Sequence, residues 1–224
     1  MKTRRTEALS DSTFAVAMTL LIFDVRVPVG GYHARGVAHD LWFSEWYHYL
    51  GYLVSFVVIG MIWMNHHSIF RLLRRIDHTG MVLNLGLLGV VVFLPFPTQL
   101  LAIYLVSHPN LGDVVAVFYG LSLAAATLMM AVLWHHLARR PELLHPDVEP
   151  AALGQLTRRL YLTPVLYVVA TGIAAIDHWA GVGLYLAIAC VYVLHTGTRA
   201  FPTLDTGDED GPVAPGALLE RKGD

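Results

Sequence analysis

Cysteine is nearly absent. Cys190, the one present, stands in an apolar run, so the chain can close no internal disulfide and build no cysteine-based metal site of its own. Charge is also scarce: 14% of residues are charged against 55% hydrophobic, and the mean hydropathy is positive, which excludes a soluble domain and points to an integral membrane protein. Several motifs are missing. There is no T-V-G-Y-G carbonyl filter, no helix with Arg at every third position, no G-x-x-x-x-G-K-[ST] and no H-E-x-x-H. An ordinary potassium filter, a voltage sensor, P-loop nucleotide hydrolysis and zincin chemistry therefore have no basis here. The stretch RTEALSD occurs once, so the chain carries a single module.

What is present is organised around Arg5 to Val27, RTEALSDSTFAVAMTLLIFDVRV. Leu9 to Val27 makes about 19 residues, or roughly 28 Å of helix, enough to cross a bilayer core. At about 100° per residue Val16, Leu20 and Phe23 form an apolar stripe flanked by Thr19, while Ser10 and Asp11 point roughly 120 to 140° away from it. A carboxylate inside a membrane costs about 2.5 to 3.5 kcal/mol, so Asp11 needs water or a protein partner. It either belongs to a functional site or clamps two helices together. Asp24, near the far end, is a solvated helix-end residue or, in a symmetric assembly, one member of a carboxylate ring that concentrates cations at a pore mouth. No small-x-small cleavage pattern follows the run, and an uncleaved first span is expected.

Five further spans are predicted: 46–70, 79–106 with a kink at Pro95 and Pro97, 114–136, 160–176 and 182–198. A Gly- and His-containing connector fills 28–45, and the rings of Trp42, Phe43, Trp46, Tyr47, Tyr49 and Tyr52 read as an interfacial belt. Polar turns are expected at SHPNLGD, from Ala138 to Arg159, and at DHWAGVG. Basic residues test the count. Lys2, Arg4 and Arg5, then Arg71, Arg74 and Arg75, then Arg139, Arg140, Arg158 and Arg159, then Arg199 fall on one side, and only Arg26 and Arg35 fall on the other. By the positive-inside rule this gives six helices with both termini cytoplasmic in the cell membrane. The expected organisation is a six-helix transmembrane module over 1–200 and a disordered acidic tail, rich in Gly and Pro, over 201–224.

Antiparallel packing of the first two spans brings Trp63, Asn65, His66 and His67 to the depth of Ser10 and Asp11. A polar network of these six with Arg5 is expected, in which indole and imidazole donors satisfy the carboxylate and hydroxyl. Arg5 lies six residues before Asp11, a poor spacing for an intrahelical ion pair, so its partner is sought on another helix or chain. Alternatively it is only a topogenic charge. His135 and His136 repeat the paired pattern at the end of the fourth span and read as interfacial residues. With His66 and His67 they leave open a haem- or quinone-handling redox protein. A structural membrane protein, in which Asp11 merely fixes packing, is a further alternative.

The segment Arg5-Thr6-Glu7-Ala8-Leu9-Ser10-Asp11 resembles the R-x-x-x-F-S-D signature that opens the first helix of the transmembrane protein 175 potassium channel family, with Leu9 in place of the Phe. The resemblance continues through SDSTFAVAMTLLIFDV and WMNHHSIF at 63–70. It implies an all-α homotetramer in the bilayer with four first helices around the pore, hydrophobic constrictions at Val16, Leu20 and Phe23, and Thr19 among the lining positions. The matching Arg, Ser, Asp, Trp and His would hold the pore helix in place. Val16 is smaller than the Ile or Leu common at its family position, which implies a wider innermost constriction. The expected activity is potassium-preferring cation conduction, with no enzymatic activity, no cofactor and no nucleic-acid partner.

Overall fold

The computed structural model describes residues 3–25, 46–148 and 150–197. Seven helices account for nearly all of them: α1 (Thr3–Leu20), α2 (Trp46–Arg71), α3 (His78–Phe93), α4 (Pro95–Ser107), α5 (Pro109–Ala138), α6 (Pro150–Ala174) and α7 (His178–Gly197). Among the described residues there is no strand. The nearest approach to one is an antiparallel bridge between Leu73 and Leu144, where Arg74 N donates to Leu143 O and His145 N to Leu72 O. Four stretches are long and apolar enough to cross a membrane: Thr3–Phe23, His48–Arg71, His78–Leu105 and Asn110–Ala138, with His178–Leu194 a shorter apolar helix.

Several boundaries differ from expectation, each for a local reason. The α-helical part of the first span stops at Leu20, and Leu21–Asp24 tighten into a 3-10 turn closed by Val25 N on Ile22 O, a common way for a helix end to satisfy its last carbonyls. The third span divides at Leu94 into α3 and α4, because Pro95 has no N–H to continue the ladder. The expected turn at SHPNLGD is mostly helix. Pro109 occupies the first turn of α5, where a missing N–H costs nothing. The loop expected up to Arg159 likewise ends early, since α6 begins at Pro150 and continues through the good helix formers of AALGQLTRR. The DHWAGVG turn contracts to a cap: Asp177 Oδ1 accepts from Trp179 N at 2.9 Å and Ala180 N at 3.2 Å, and α7 starts at His178.

The connector at 28–45, the residues Arg26 and Arg35, and the acidic segment 201–224 lie outside the described residues, as do the side chains of Asp24, Trp46 and Tyr47.

α5 is the central post. It packs against α2, α3, α4, α6 and α7, while α1 is held at the margin by α2 and α3. One continuous apolar core joins the helices, with Trp134, Tyr119, Tyr167 and Tyr185 fully buried. Most of their polar tips are answered inside the bundle. Trp134 Nε1 donates to Thr157 Oγ1 at 2.9 Å, Tyr119 OH meets Ser55 Oγ at 2.9 Å, and Tyr185 OH donates to Ala116 O at 3.2 Å. In hydrocarbon, where no water relieves an unpaired group, such bonds keep the interhelical register.

Candidate functional site

The first helix has two unlike faces. Thr6, Ser10, Phe14, Ala17 and Leu21 recur at spacings of three and four and are buried against α2 and α3. Leu9, Val16, Leu20 and Phe23 form a second stripe that the chain leaves bare, with Val16 53%, Leu20 39% and Phe23 74% exposed. Thr19 is exposed beside them. Hydroxyls along the helix bond back to their own backbone: Ser10 to Thr6 O, Ser12 to Ala8 O, Thr13 to Leu9 O and Thr19 to Val16 O, all at 2.8 to 2.9 Å. Their donors are thus satisfied without water, and their oxygens can still accept.

Behind the bare stripe runs a polar seam. Asn84, on α3, donates its amide N–H to Ser10 Oγ at 2.9 Å and offers its carbonyl to His66 Nε2 at 2.9 Å. All three side chains are buried. His66 stacks on Phe70 at 4.2 Å between ring centroids and meets Phe14 at 5.4 Å. Trp63 Nε1 donates to Asp11 Oδ1 at 2.9 Å, its ring stacks on His67 at 5.9 Å, and His67 Nδ1 lies 3.6 Å from Glu7 Oε1. Asp11 is half-buried and Trp63 38% exposed, so this part of the seam is only partly covered within the chain.

Of the seven residues expected to form the network, the structure brings Ser10, Asp11, Trp63 and His66 together across α1 and α2, and His67 joins through Glu7. Asn65 does not. It faces α7, where Tyr192 OH donates to its side-chain oxygen. Arg5 is exposed and makes no hydrogen bond or ion pair with a described residue. Sequence reasoning missed Asn84 and Glu7. The signal for Asn84 was available: it is the lone polar side chain in the run 81–93, and a lone amide in a membrane-length helix has to be answered by another helix.

The second histidine pair is engaged elsewhere. His136 Nε2 lies 2.9 Å from Asp77 Oδ2, Arg140 Nη1 donates to the same oxygen at 2.6 Å, and Asp77 Oδ1 accepts from Gly80 N at 3.0 Å to cap α3. Burial works to raise the Asp77 carboxyl, but the bonds from His136 and Gly80 and the charges of His136 and Arg140 outweigh it and hold it below its ordinary value. His135 Nδ1 pairs with Tyr161 OH at 2.6 Å. Among the described residues no three His, Cys, Asp or Glu side chains converge as a metal site would require.

The chain is similar to known proteins over most of its length. The family model described as "Endosomal/lysosomal potassium channel TMEM175" matches residues 5–95, which include the whole seam. A potassium channel of Chamaesiphon minutus is 37% identical over 87% of this chain and 95% of its own length, and one of Streptomyces collinus is 39% identical over 77% and 82%. A crystal structure described as a lysosomal potassium-selective channel TMEM175 homologue from Chamaesiphon minutus superposes with a TM-score of 0.73 at 36% identity, covering 87% of this chain and 97% of that one. The chain belongs to the TMEM175 family, whose members are ion channels and not enzymes.

Proposed function

We propose that this protein is a potassium-preferring cation channel in which four copies of α1, one from each subunit of a homotetramer, line the pore. The observation that carries this reading is the bare stripe of α1. Val16, Leu20 and Phe23 are exposed on the same helix whose opposite face is locked to α2 and α3. Lipid could cover such a stripe, but the half-buried Asp11 carboxylate on another face of the same helix needs protein or water around it, which favours α1 inside an assembly over α1 at a lipid surface. A water-containing axis shared with neighbouring subunits would cover the stripe, and the flanks of those subunits would cover Asp11. The same axis gives the unpaired Arg5 a place to meet a carboxylate of another subunit.

Rings of Val16, Leu20 and Phe23 would make narrow apolar necks. A neck of this kind holds no continuous water column, so an ion has to shed hydration to pass. Thr19 would offer oxygens between two such rings, and Asp24 would raise the cation concentration at the mouth. With few oxygen ligands to replace lost water, selectivity for potassium over sodium should be weaker than in a filter of backbone carbonyls. The chain would cross the cell membrane six times, with both termini cytoplasmic, its basic residues clustering at alternate helix ends. The six-helix module would span 1–200 and be followed by an acidic tail.

The paired histidines that favour a redox protein do not converge: His66 answers Asn84, His135 answers Tyr161 and His136 answers Asp77. The test is potassium flux into liposomes holding the purified protein, with Leu20→Asn and Asp11→Ala beside wild type. Flux that requires the protein and rises in Leu20→Asn supports the pore. Absence of flux from a well-folded oligomer, or chloride permeability equal to that for potassium, rejects it.

A further inference from the structure

α5 and α6 form an open apolar groove of about 730 Å³, with no residue of α1 in its lining. Leu121, Ala125 and Leu128 form one wall, and Val165 and Val168 the other. Pro164 helps to shape it. A proline inside α6 cannot donate to the carbonyl one turn back, and its short ring is one of the small side chains that line the groove. Measured along α5 from Leu121 to His135, the groove runs roughly 21 Å at 1.5 Å per residue, more than the roughly 15 Å of one hydrocarbon leaflet. An entire acyl chain fits along it.

Chemistry changes at one end. The groove finishes at His135 and Tyr161, bonded to each other at 2.6 Å through His135 Nδ1, which leaves the other ring nitrogen of an exposed histidine facing outward. One turn further on, Arg139, the C-cap of α5 in helical conformation, follows His135 by four residues, and Arg158 precedes Tyr161 by three on α6. Each therefore sits on the same face as its ring. Both arginines are exposed and neither makes an ion pair with a described residue, whereas the neighbouring Arg140 is taken up by Asp77. A tail-length apolar channel leading to two uncommitted guanidinium groups has the shape and charge order of a phospholipid with an anionic head.

We propose that this groove binds one anionic phospholipid per subunit, with an acyl chain between α5 and α6 and the phosphate held by Arg139 and Arg158, assisted by His135. A second protein copy seated there would have to bring carboxylates to two arginines at the end of an apolar channel, while a lipid phosphate carries its charge at that place by its own structure. The proposal borrows from the functional reading only the leaflet, the cytoplasmic one. It requires no ion conduction.

The test is native mass spectrometry of the full-length protein in detergent, titrated with phosphatidylglycerol or phosphatidylcholine. Wild type should retain phosphatidylglycerol in preference to phosphatidylcholine. The double variant Arg139→Gln/Arg158→Gln should bind phosphatidylglycerol roughly 30-fold more weakly, taking about 1 kcal/mol for each basic residue. The variant Arg139→Lys/Arg158→Lys should recover most of the binding, and Ala125→Phe, which fills the groove, should lose both lipids. Equal retention of the two lipids by wild type, or unchanged phosphatidylglycerol binding in the Gln pair, overturns the proposal. So does an Ala125→Phe variant that changes oligomer mass while lipid retention stays constant, because the groove would then hold another subunit. The readout is lipid mass, so failure here leaves potassium flux to be judged separately.

Discussion

Asn84 on α3 donates an amide hydrogen to the hydroxyl of Ser10 on α1 at 2.9 Å, inside a contact from which both side chains exclude solvent. The two partners are not equivalent. Ser10 keeps a bond to its own helix through Thr6 O, whereas Asn84 is the bridge on which His66 also depends. Replacing Asn84 by Leu strands one acceptor on Ser10 and one ring nitrogen on His66, at a cost of about 1–3 kcal/mol. Ser10→Ala removes a single interhelical bond, for which about 0.6 kcal/mol is typical in a membrane. Thermal unfolding in detergent should therefore place Asn84→Leu clearly below Ser10→Ala. The reverse order would mean that α1 is held by its apolar contacts alone.

Asp77 gives a pH prediction with a definite sign. Its carboxyl lies below its ordinary value near 3.8 because of His136, Gly80 and Arg140, so the charged form is favoured in the folded state. A depressed carboxylate contributes stability above its unfolded value and loses it as pH falls through the folded one. Asp77→Asn keeps a side chain able to cap α3 and removes only the charge. The melting-temperature gap between wild type and Asp77→Asn should hold steady from about pH 7 to about pH 5 and close below the ordinary carboxylate value. A gap as large at about pH 3 as at neutral pH would show that the ion pairs at Asp77 add nothing.

Helix-forming segments were readable from the sequence because long apolar runs, once in a membrane, have few alternatives to helix. Pairing was readable only in part. The seam at Ser10, Asp11, Trp63 and His66 follows from antiparallel packing of two consecutive spans, but Asn84 enters from α3, and no periodicity within one segment says which third helix will answer a buried hydroxyl. Asn65 misled because it adjoins His66. On a helix adjacent residues point about 100° apart, so one faces α3 while the other faces Tyr192. Proline was misjudged in a consistent direction: Pro109 and Pro150 start helices and do not extend the loops before them, since the first turn needs no N–H from them.

Gly181 and Gly183, two residues apart on α7, should respond oppositely to the same change. A Cβ on Gly181 would lie 2.6 Å from Ala174 Cα, a backbone atom at the end of α6 that has nowhere to retreat, while a Cβ on Gly183 meets nothing within 4 Å. Gly181→Ala should cost about 1–3 kcal/mol through overpacking of the α6–α7 hairpin. Gly183→Ala should gain about 0.5–1 kcal/mol from helix propensity. Chemical unfolding of the two variants checks the contrast, and equal effects would mean that the α6–α7 turn is looser than its geometry.

Val16 is the position at which a small change should reach conduction without touching the fold. It is 53% exposed on the bare stripe of α1, so a further methylene can point into open space within its own subunit and should leave stability near that of wild type. In the proposed tetramer the same methylene would enter the axis four times. Each copy would narrow an apolar neck whose barrier comes from dehydration and rises as the neck closes. Val16→Ile should therefore lower single-channel conductance with an unchanged melting temperature, whereas Phe14→Ala, in the buried face of the same helix, should lose about 3–5 kcal/mol of stability. Equal conductance and equal ion selectivity in wild type and Val16→Ile would move the constriction away from this ring and toward Leu20 or Phe23.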